Sequence, residues 1–276
     1  MARLATIAPF NFEFDIGRFL RAYRSAGCTH AQFYRNENAP LDPAAALETV
    51  RQAGMTFDSV HGLFGESLDP SSPDRDTRLR SVDVYEREGE LAVRLGGPMV
   101  VVHPSWMNPE GSPVSRPPDP VRIDALRDSM DRLARIGERL GVIYLMENLP
   151  GFFPIGHDTR RVASWVRLLG SPNVRMCFDT GHAHIESGRN GAVASQLREC
   201  IDVVAYIHAH DNDSVQDNHR MPGEGTINWD AVVSILVERT TADLPWMLEV
   251  FNPEPQVEEL VQGGLGGWLA RWSAGG

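Results

Sequence analysis

Two hydrophobic patterns alternate along the chain. Short, nearly continuous apolar runs, such as Met-Val-Val-Val at residues 99–102, are typical of strands buried on both faces of a parallel sheet. Longer segments, such as residues 74–95, repeat apolar residues every three or four positions, which indicates amphipathic helices. Strands are predicted over residues 4–8, 29–34, 56–61, 99–103, 142–147, 174–179, 203–208 and 246–249, and helices over residues 15–26, 42–53, 74–95, 120–140, 159–169, 192–200, 229–238 and 257–272.

Glycine and proline mark several of the predicted helix ends. Asp42 before Pro43 suits a helix start, because the aspartate caps free backbone N–H groups and proline fits the first helical position. Gly27 and Gly96 follow predicted helices and suit their ends. Residues 105–120 are rich in Pro, Ser and Gly, which predicts a loop.

Strands that alternate with helices eight times predict an α/β fold, a closed (β/α)8 TIM barrel that forms one domain over residues 1–276. The alternative, an open doubly wound sheet, usually carries a glycine-rich phosphate-binding turn after its first strand. Residues 9–12, Pro-Phe-Asn-Phe, provide no such turn. The closed barrel is therefore the predicted architecture.

Composition agrees with one large domain and indicates a cytoplasmic location. The 276 residues are 42% hydrophobic, which is enough for a full core. No apolar run approaches the roughly 20 residues that cross a bilayer, and residues 1–7 lack the apolar core of a signal peptide. Cys28, Cys177 and Cys200 are odd in number and far apart, so reduced thiols are expected rather than disulfides or a cysteine zinc site.

The charge distribution excludes one class of catalysis and argues against another. The formal net charge is −11, and all 26 basic residues are arginine because the chain contains no lysine. Schiff-base chemistry and a lysine general base are therefore excluded. Nucleic-acid binders usually present a basic face to the phosphate backbone, so a nucleic-acid partner is not expected.

Several predicted strands end in a residue type that binds metals. Because the carboxyl ends of barrel strands meet at one mouth, side chains that are scattered in sequence are expected to converge there. Several buried carboxylates without lysine partners are costly unless a cation neutralises them, so the pattern predicts a divalent-metal site. The six strand-end residues are His61, His103, Glu147, Asp179, His208 and Glu249.

Two further segments extend the predicted site. His182 lies three residues after Asp179, past Gly181, where a sharp turn is expected. In the polar loop that follows residues 208–210, Asp217 and His219 are two positions apart, so on an extended chain both can face one ion.

The histidines outside the strand ends are harder to assign from the pattern. His208 and His210 share strand parity, which leaves open which of them is the ligand. His30, His157 and His184 are expected to be surface residues or residues that support the ligands from behind.

In combination, five motifs resemble the xylose-isomerase-like TIM-barrel superfamily, between about residues 61 and 249. That superfamily includes sugar phosphate isomerases and epimerases and also endonuclease IV, the AP endonuclease family 2. The motifs are Met146-Glu147-Asn148, Phe178-Asp179-Thr180-Gly181-His182, His208-Ala209-His210-Asp211, Asp217-Asn218-His219 with Pro222-Gly223-Glu224-Gly225, and Leu248-Glu249.

The two branches of the superfamily imply different metal contents. The epimerase branch implies one ion held by Glu147, Asp179, His208 and Glu249, with His182 near the substrate. The endonuclease IV branch implies a three-metal cluster, and all of its ligand positions have counterparts here. The expected cofactor is thus one to three divalent ions, Mn²⁺ or Zn²⁺ with Mg²⁺ or Co²⁺ as alternatives. The nine counterparts are His61, His103, Glu147, Asp179, His182, His208, Asp217, His219 and Glu249.

The acidic balance and the absence of lysine argue against DNA repair, so the preferred hypothesis is a metal-dependent isomerase or epimerase of a sugar, sugar phosphate or polyol. In this hypothesis the cation polarises a carbonyl and stabilises an enediolate. Glu147 and Glu249 act as base and acid, and His182 orients a substrate oxygen. Four residues are expected to contact the substrate: Trp106, Phe152, His210 and Arg220.

Other activities remain open on the sequence. A three-metal phosphoester hydrolase would use the same residues as ligands first. A lyase acting on an oxidised sugar would share the enolate chemistry, and a metal-stabilised binding protein is a non-catalytic alternative. The expected partner is a small carbohydrate-like molecule, no membrane association is expected, and a homo-oligomer is left open.

Overall fold

The computed structural model describes residues 3–13, 15–35, 42–107, 119–188, 192–239 and 244–251. The predicted last helix, residues 257–272, and most of the predicted loop at 105–120 lie outside the described residues. Among the described helices, none combines the length and the apolar composition that a bilayer crossing requires.

Eight parallel strands close into a barrel in chain order, and the last strand pairs with the first. This confirms the predicted (β/α)8 TIM barrel. Each predicted strand is present within one or two residues of its expected bounds. The strands are β1 (Arg3–Phe10), β2 (His30–Arg35), β3 (Thr56–His61), β4 (Met99–Val102), β5 (Ile143–Glu147), β6 (Val174–Asp179), β7 (Val204–Ala209) and β8 (Pro245–Leu248).

Helices follow the strands, and aspartates cap many of their N-termini. The Asp42 side chain accepts hydrogen bonds from the backbone N–H groups of Ala44 and Ala45, as the Asp-Pro pair predicts. Besides the short 3₁₀ helix Glu66–Leu68, the described helices are α1 (Ile16–Ser25), α2 (Pro43–Gln52), α3 (Arg75–Leu95), α4 (Pro120–Leu140), α5 (Thr159–Leu169), α6 (Thr180–Ser187), α7 (Val193–Cys200) and α8 (Trp229–Arg239).

One local prediction is wrong, because α6 begins where a sharp turn was expected. Asp179 caps this helix, and its Oδ1 accepts a hydrogen bond from the His182 N–H at 2.7 Å. Gly181 therefore lies inside a helix, and a glycine is needed there because the His210 ring leaves no room for a side chain rather than because the chain turns. A Cβ atom on Gly181 would lie 2.0 Å from Cε1 of His210.

The barrel wall is apolar, but part of its interior is not. The whole of β4 is buried, as its continuous apolar run predicts. All three cysteines are buried and free, which agrees with the expected reduced thiols. Inside the barrel, however, Gln32, Ser59 and Tyr206 are fully buried polar side chains.

Candidate metal centre and cavity

The structure brings all nine predicted ligand residues together at the carboxyl ends of the strands. His61, Glu147 and Asp179 are the last residues of β3, β5 and β6. His103 and Glu249 directly follow β4 and β8. Their side chains and that of His210 form three groups, and within each group one ligand atom per residue lies within 4.8 Å of all the others.

The central group consists of Glu147, Asp179, His208 and Glu249. His208 Nδ1 lies 2.9 Å from Glu147 Oε1, 3.0 Å from Glu249 Oε2 and 3.8 Å from Asp179 Oδ2. None of the four residues is more than 5% exposed. Three carboxylates and one imidazole nitrogen in such a buried position form a donor set that suits Mn²⁺ or Zn²⁺.

A second group combines His61 and His103 with the same Glu147. His103 Nε2 lies 3.1 Å from Glu147 Oε2, and His61 Nε2 lies 3.8 Å from the same oxygen. The two oxygens of Glu147 thus face different groups, so this carboxylate is placed to bridge them. Phe64 stacks on the His103 ring with the centroids 4.2 Å apart, which fixes the plane of that imidazole.

The third group consists of His182, His210, Asp217 and His219. Asp217 Oδ2 lies 3.2 Å from His182 Nε2 and 3.3 Å from His219 Nε2. The His210 ring lies parallel to that of His219, with the centroids 3.9 Å apart. His208 and His210, between which the sequence left the choice of ligand open, belong to two different groups, so each stays a predicted ligand.

A loop after β7 carries part of the third group, and Asp211 holds it in place. Asp211 Oδ2 accepts hydrogen bonds from the Gly223 N–H at 3.0 Å and from the Trp229 indole N–H at 2.8 Å. Its Oδ1 accepts one from the Ile227 N–H at 3.2 Å. Asp211 belongs to one of the five sequence motifs, but the sequence assigned it no role. Its position beside a predicted ligand strand and before a glycine-containing loop was the available signal.

Unpaired oxygens indicate that the groups are suited to cations. Glu147 Oε2, Glu249 Oε2 and Asp217 Oδ1 are buried without a hydrogen-bond partner. The nitrogens nearest to the two glutamate oxygens, those of His103 and His208, lie within 3.1 Å but do not form hydrogen bonds with them. Because a buried, unpaired carboxylate oxygen is costly, a divalent ion bound in each group would relieve the oxygen that faces it.

The electrostatics keep these carboxyl groups ionised. Burial alone would raise the pKa of Glu147, but the charges of His208 and His103 outweigh it and hold that pKa well below its usual range. Burial would likewise raise the pKa of Glu249, but the charge of His208 outweighs it and lowers that pKa. Burial, assisted by His103, lowers the pKa of His61 to about 4, so at neutral pH this imidazole has a free lone pair.

A cavity of about 230 Å³ lies above the three groups. Its floor includes Glu147, His182 and Glu249, and its walls are largely aromatic. Trp106 and Phe152 line it, as expected for residues that contact a substrate, whereas His210 and Arg220 are not among the lining residues. His210 is fully buried below the floor and the Arg220 side chain is exposed, so a substrate contact for either stays a prediction. The wall residues are Tyr34, Phe64, Trp106, Met107, Leu149, Pro150, Phe152, Phe153 and Phe251.

The remaining histidines support their surroundings. His157 and His184 are buried rather than on the surface. His157 Nδ1 lies 3.0 Å from the Phe153 carbonyl oxygen, behind the cavity wall. His184 Nε2 lies 2.8 Å from Thr226 Oγ1, and His30 Nδ1 lies 2.8 Å from Thr29 Oγ1.

The sequence of this chain matches one known family and several known proteins. The sequence model of a family described as "Xylose isomerase-like TIM barrel" matches residues 20–272. A protein of Methanocaldococcus jannaschii, MJ1311, is 30% identical over 182 residues, which cover 65% of this chain and 59% of that protein. A probable endonuclease 4 of Chlorobium phaeobacteroides is 24% identical over 261 residues, which cover 87% of this chain and 89% of that protein. The match to MJ1311 therefore spans less than two thirds of its length.

Structural comparison gives the same fold. A solved structure of an L-ribulose 3-epimerase superposes with a TM-score of 0.79 at 18% sequence identity, covering 99% of this chain and 97% of that one. At this identity the likeness concerns the arrangement of the barrel. It leaves the reaction to be argued from the side chains.

Proposed function

The chain belongs to the xylose isomerase-like TIM barrel family, and on that premise we propose that it is a divalent-metal-dependent isomerase or epimerase of an uncharged sugar or polyol. The observation that carries the proposal is the pair of carboxylates at the cavity floor. Glu147 and Glu249 reach His208 Nδ1 from two different strands, at 2.9 and 3.0 Å, and both line the cavity.

Two carboxylates in this arrangement suit the transfer of a proton between carbon atoms. When held by Glu147, Asp179, His208 and Glu249, a divalent ion supplies Lewis-acid polarisation of the substrate carbonyl. One of the two glutamates takes a proton from the carbon next to the carbonyl and releases it to solvent. The other, after taking a proton from solvent, delivers it to the adjacent carbon or to the opposite face. The first outcome is isomerisation and the second is epimerisation.

His182 is placed to hold a substrate oxygen. Its Nδ1 lies 2.8 Å from the Asn148 carbonyl oxygen, which fixes a proton on that nitrogen and orients the ring. Burial lowers its pKa, but the carboxylates of Asp179 and Asp217 outweigh burial and raise that pKa well above the usual value. His182 Nε2 also faces Asp217 Oδ2, at 3.2 Å, so a substrate hydroxyl or carbonyl oxygen at the cavity floor would share this N–H with Asp217.

The cavity walls support an uncharged substrate. The volume of about 230 Å³ and the aromatic walls suit a monosaccharide, whose C–H faces pack on aromatic rings. Within the described part of the chain, no arginine lines the cavity. A phosphate group is normally held by arginine or lysine, so a phosphorylated sugar lacks a partner here.

A specific observation supports a second candidate, a multi-metal phosphoester hydrolase. Three groups of ligands, two of them sharing Glu147, offer more positions than a single-ion enzyme needs. Clustered metals stabilise both the attacking and the leaving oxygen in phosphoester hydrolysis. The net charge of −11 and the aromatic cavity weigh against a nucleic-acid substrate, so this candidate ranks second.

One experiment separates the candidates. The purified protein, with its metal content per chain measured, is incubated in D₂O with a panel of free ketoses and aldoses and, separately, with DNA that contains an abasic site. We expect deuterium at the carbon next to the carbonyl, a new sugar isomer or epimer, and intact DNA. Strand cleavage without deuterium incorporation would overturn the proposal, and loss of water from the sugar would identify a lyase instead.

We propose the cytoplasm as the location, supported by three buried cysteines that are all free.

A further inference from the structure

Inside the barrel, one layer deeper than the metal centre, four polar side chains are at most 4% exposed: Gln32, Asp58, Ser59 and Tyr206. Ser59 and Tyr206 precede His61 and His208 by two residues on their strands, so they face the same interior. The interior of such a barrel is normally filled by branched apolar side chains. Burying a polar group in that position costs free energy unless the group is hydrogen-bonded, so these four side chains are expected to have a function that apolar residues could not provide.

The four side chains form one connected network. Ser59 Oγ lies 2.8 Å from Asp58 Oδ1 and 2.9 Å from the Tyr206 hydroxyl oxygen. The Tyr206 hydroxyl donates to Asp58 Oδ1 at 2.9 Å. Gln32 Nε2 lies 3.2 Å from Ser59 Oγ and also 3.2 Å from His208 Nε2. Gln32 is thus the member of the network that reaches the metal centre.

Two irregularities in the sheet assemble this network. Between β2 and β3 the register shifts, so that Ala31 pairs with Phe57 but Gln32 pairs with Ser59. Between β6 and β7 a second shift brings Cys177 opposite Tyr206. Bulges of this kind re-aim side chains and are common beside active sites. Ser59 and Tyr206, which each follow one of these shifts, meet at the same interior position.

The orientation of His208 defines what Gln32 has to do. His208 Nδ1 faces Glu147 and Glu249, so Nδ1 is the nitrogen that is placed to bind an ion in the central group. A nitrogen that binds a metal carries no proton, and the proton of the neutral ring then resides on Nε2 and needs an acceptor. In the structure, the amide nitrogen of Gln32 faces His208 Nε2, while the amide oxygen Oε1 is buried without a hydrogen-bond partner.

We propose that Gln32 is a positioning residue that fixes the tautomer of His208, and that its amide turns over when the central ion binds. After a rotation of 180°, Oε1 accepts from the His208 Nε2–H and from the Ser59 hydroxyl. The Tyr206 hydroxyl continues to donate to Asp58. The orphaned oxygen thereby gains two donors, while the amide nitrogen gives up its contacts with Ser59 Oγ and His208 Nε2 and the Ser59 proton leaves Asp58. The metal-bound His208, whose only proton is on Nε2, is then held as a ligand. This inference rests on the proposed function, because it requires the central group to bind an ion.

The test compares Gln32→Met with Gln32→Glu. Methionine keeps the volume but offers no strong acceptor, whereas glutamate can accept the His208 proton. Affinity for Zn²⁺ alone is measured by competition with a chromogenic chelator. We expect Gln32→Met to lower the affinity of the central site by about 10–100-fold, as loss of a partner behind a ligand usually does, and Gln32→Glu to retain it. Thr6→Val is the matched control, since Thr6 is also fully buried with an unpaired hydroxyl.

A second readout is the tautomer itself. In the Zn²⁺-loaded parent, ¹⁵N-edited NMR of the histidine rings should show the His208 proton on Nε2. Unchanged Zn²⁺ affinity in Gln32→Met, or a proton on Nδ1, would overturn the role of Gln32 while leaving the proposed function intact. A parent chain that binds no divalent ion would overturn both. If Gln32→Met does not fold, Ser59→Ala should lower the affinity in the same direction by a smaller factor.

Discussion

The His210 imidazole packs directly against the backbone of Gly181, so closely that a Cβ atom on Gly181 would lie 2.0 Å from His210 Cε1. This contact joins the first turn of α6, which carries His182, to the residue after β7. Both histidines belong to the third ligand group. The spacing between these two segments therefore depends on the absence of a single methyl group.

Gly181→Ala should disrupt the third group. The added methyl must displace a fully buried ring, and overpacking of this kind costs about 1–3 kcal/mol. We expect a lower free energy of unfolding in denaturant and, in metal analysis, less Zn²⁺ per chain than the parent. Gly17→Ala in α1 is the matched control, because there the nearest atom is the flexible end of Arg21, 3.2 Å away. Equal metal content in Gly181→Ala and the parent would show that the contact does not matter.

Glu147→Gln should abolish the exchange of solvent deuterium into the sugar. A general base contributes about 10²–10⁴-fold to a rate, so the exchange rate should fall by at least that range. Because Glu147 faces two ligand groups and Glu249 faces one, Glu147→Gln should also lose more metal than Glu249→Gln. Substrate binding is followed separately by calorimetry. Exchange at the parental rate in Glu147→Gln would exclude it as base, and the exposed Glu48→Gln serves as control.

Asp211→Asn should loosen the loop that carries Asp217 and His219. An asparagine has one acceptor oxygen instead of two. If that oxygen accepts from Gly223 and Trp229, the NH2 group faces the Ile227 N–H, donor against donor. Loss of such a buried acceptor costs about 1–3 kcal/mol. We expect lower stability and selective loss of metal from the third group. Asp213→Asn is the control, because an amide oxygen can still accept from the N–H groups of Val215 and Gln216.

Asp58 should make the metal-free protein less stable as the pH rises from about 4 to 6. Burial raises the pKa of Asp58 to about 6, despite opposing contacts with Ser59, Arg3 and Tyr206. In the unfolded chain an aspartate titrates near about 3.9, so between the two values the folded state binds more protons and stability falls with rising pH. The contribution is about 3 kcal/mol, at about 1.4 kcal/mol per pH unit, and it is level above pH 6.

Asp58→Asn removes this titration. The free energy of unfolding, measured in chelator from pH 4 to 7, should therefore fall more steeply with pH in the parent than in the variant. The difference between the two proteins isolates Asp58, because their other ionisable groups are the same. A difference that does not change with pH would mean that the carboxyl group is already ionised in the folded state at low pH.

The aromatic wall should govern substrate binding more than the chemical step. Trp106→Ala removes a wall of the cavity, and loss of uniform binding raises KM while leaving kcat nearly unchanged. Loss of an aromatic face of this size should raise KM by about 10-fold, which corresponds to about 1.4 kcal/mol of binding free energy. Steady-state kinetics on the free sugar provides the measurement. A drop in kcat at constant KM would instead assign Trp106 to the chemical step.

The sequence by itself determined the barrel and which histidine, aspartate and glutamate residues meet at its mouth. Periodicity is a local property, so the apolar runs and the amphipathic segments were sufficient to place every described strand. The strand ends were equally informative, because parallel strands in a closed barrel all point their carboxyl ends to one mouth. His61, Glu147 and Asp179 converge for that reason although they are far apart in the chain.

Only the tertiary structure decided how these residues divide among three groups and which residues support them. His208 and His210 are two positions apart, so the alternation of side chains along a strand places both on the same side. Which groups they reach depends on the tilt of the strands and on the two register shifts. The turn expected after Asp179 is a helix, because the aspartate caps the backbone N–H of His182. The role inferred for Gln32 was equally hidden in the sequence, because an isolated glutamine in an apolar strand acquires its meaning only from His208, 176 residues away.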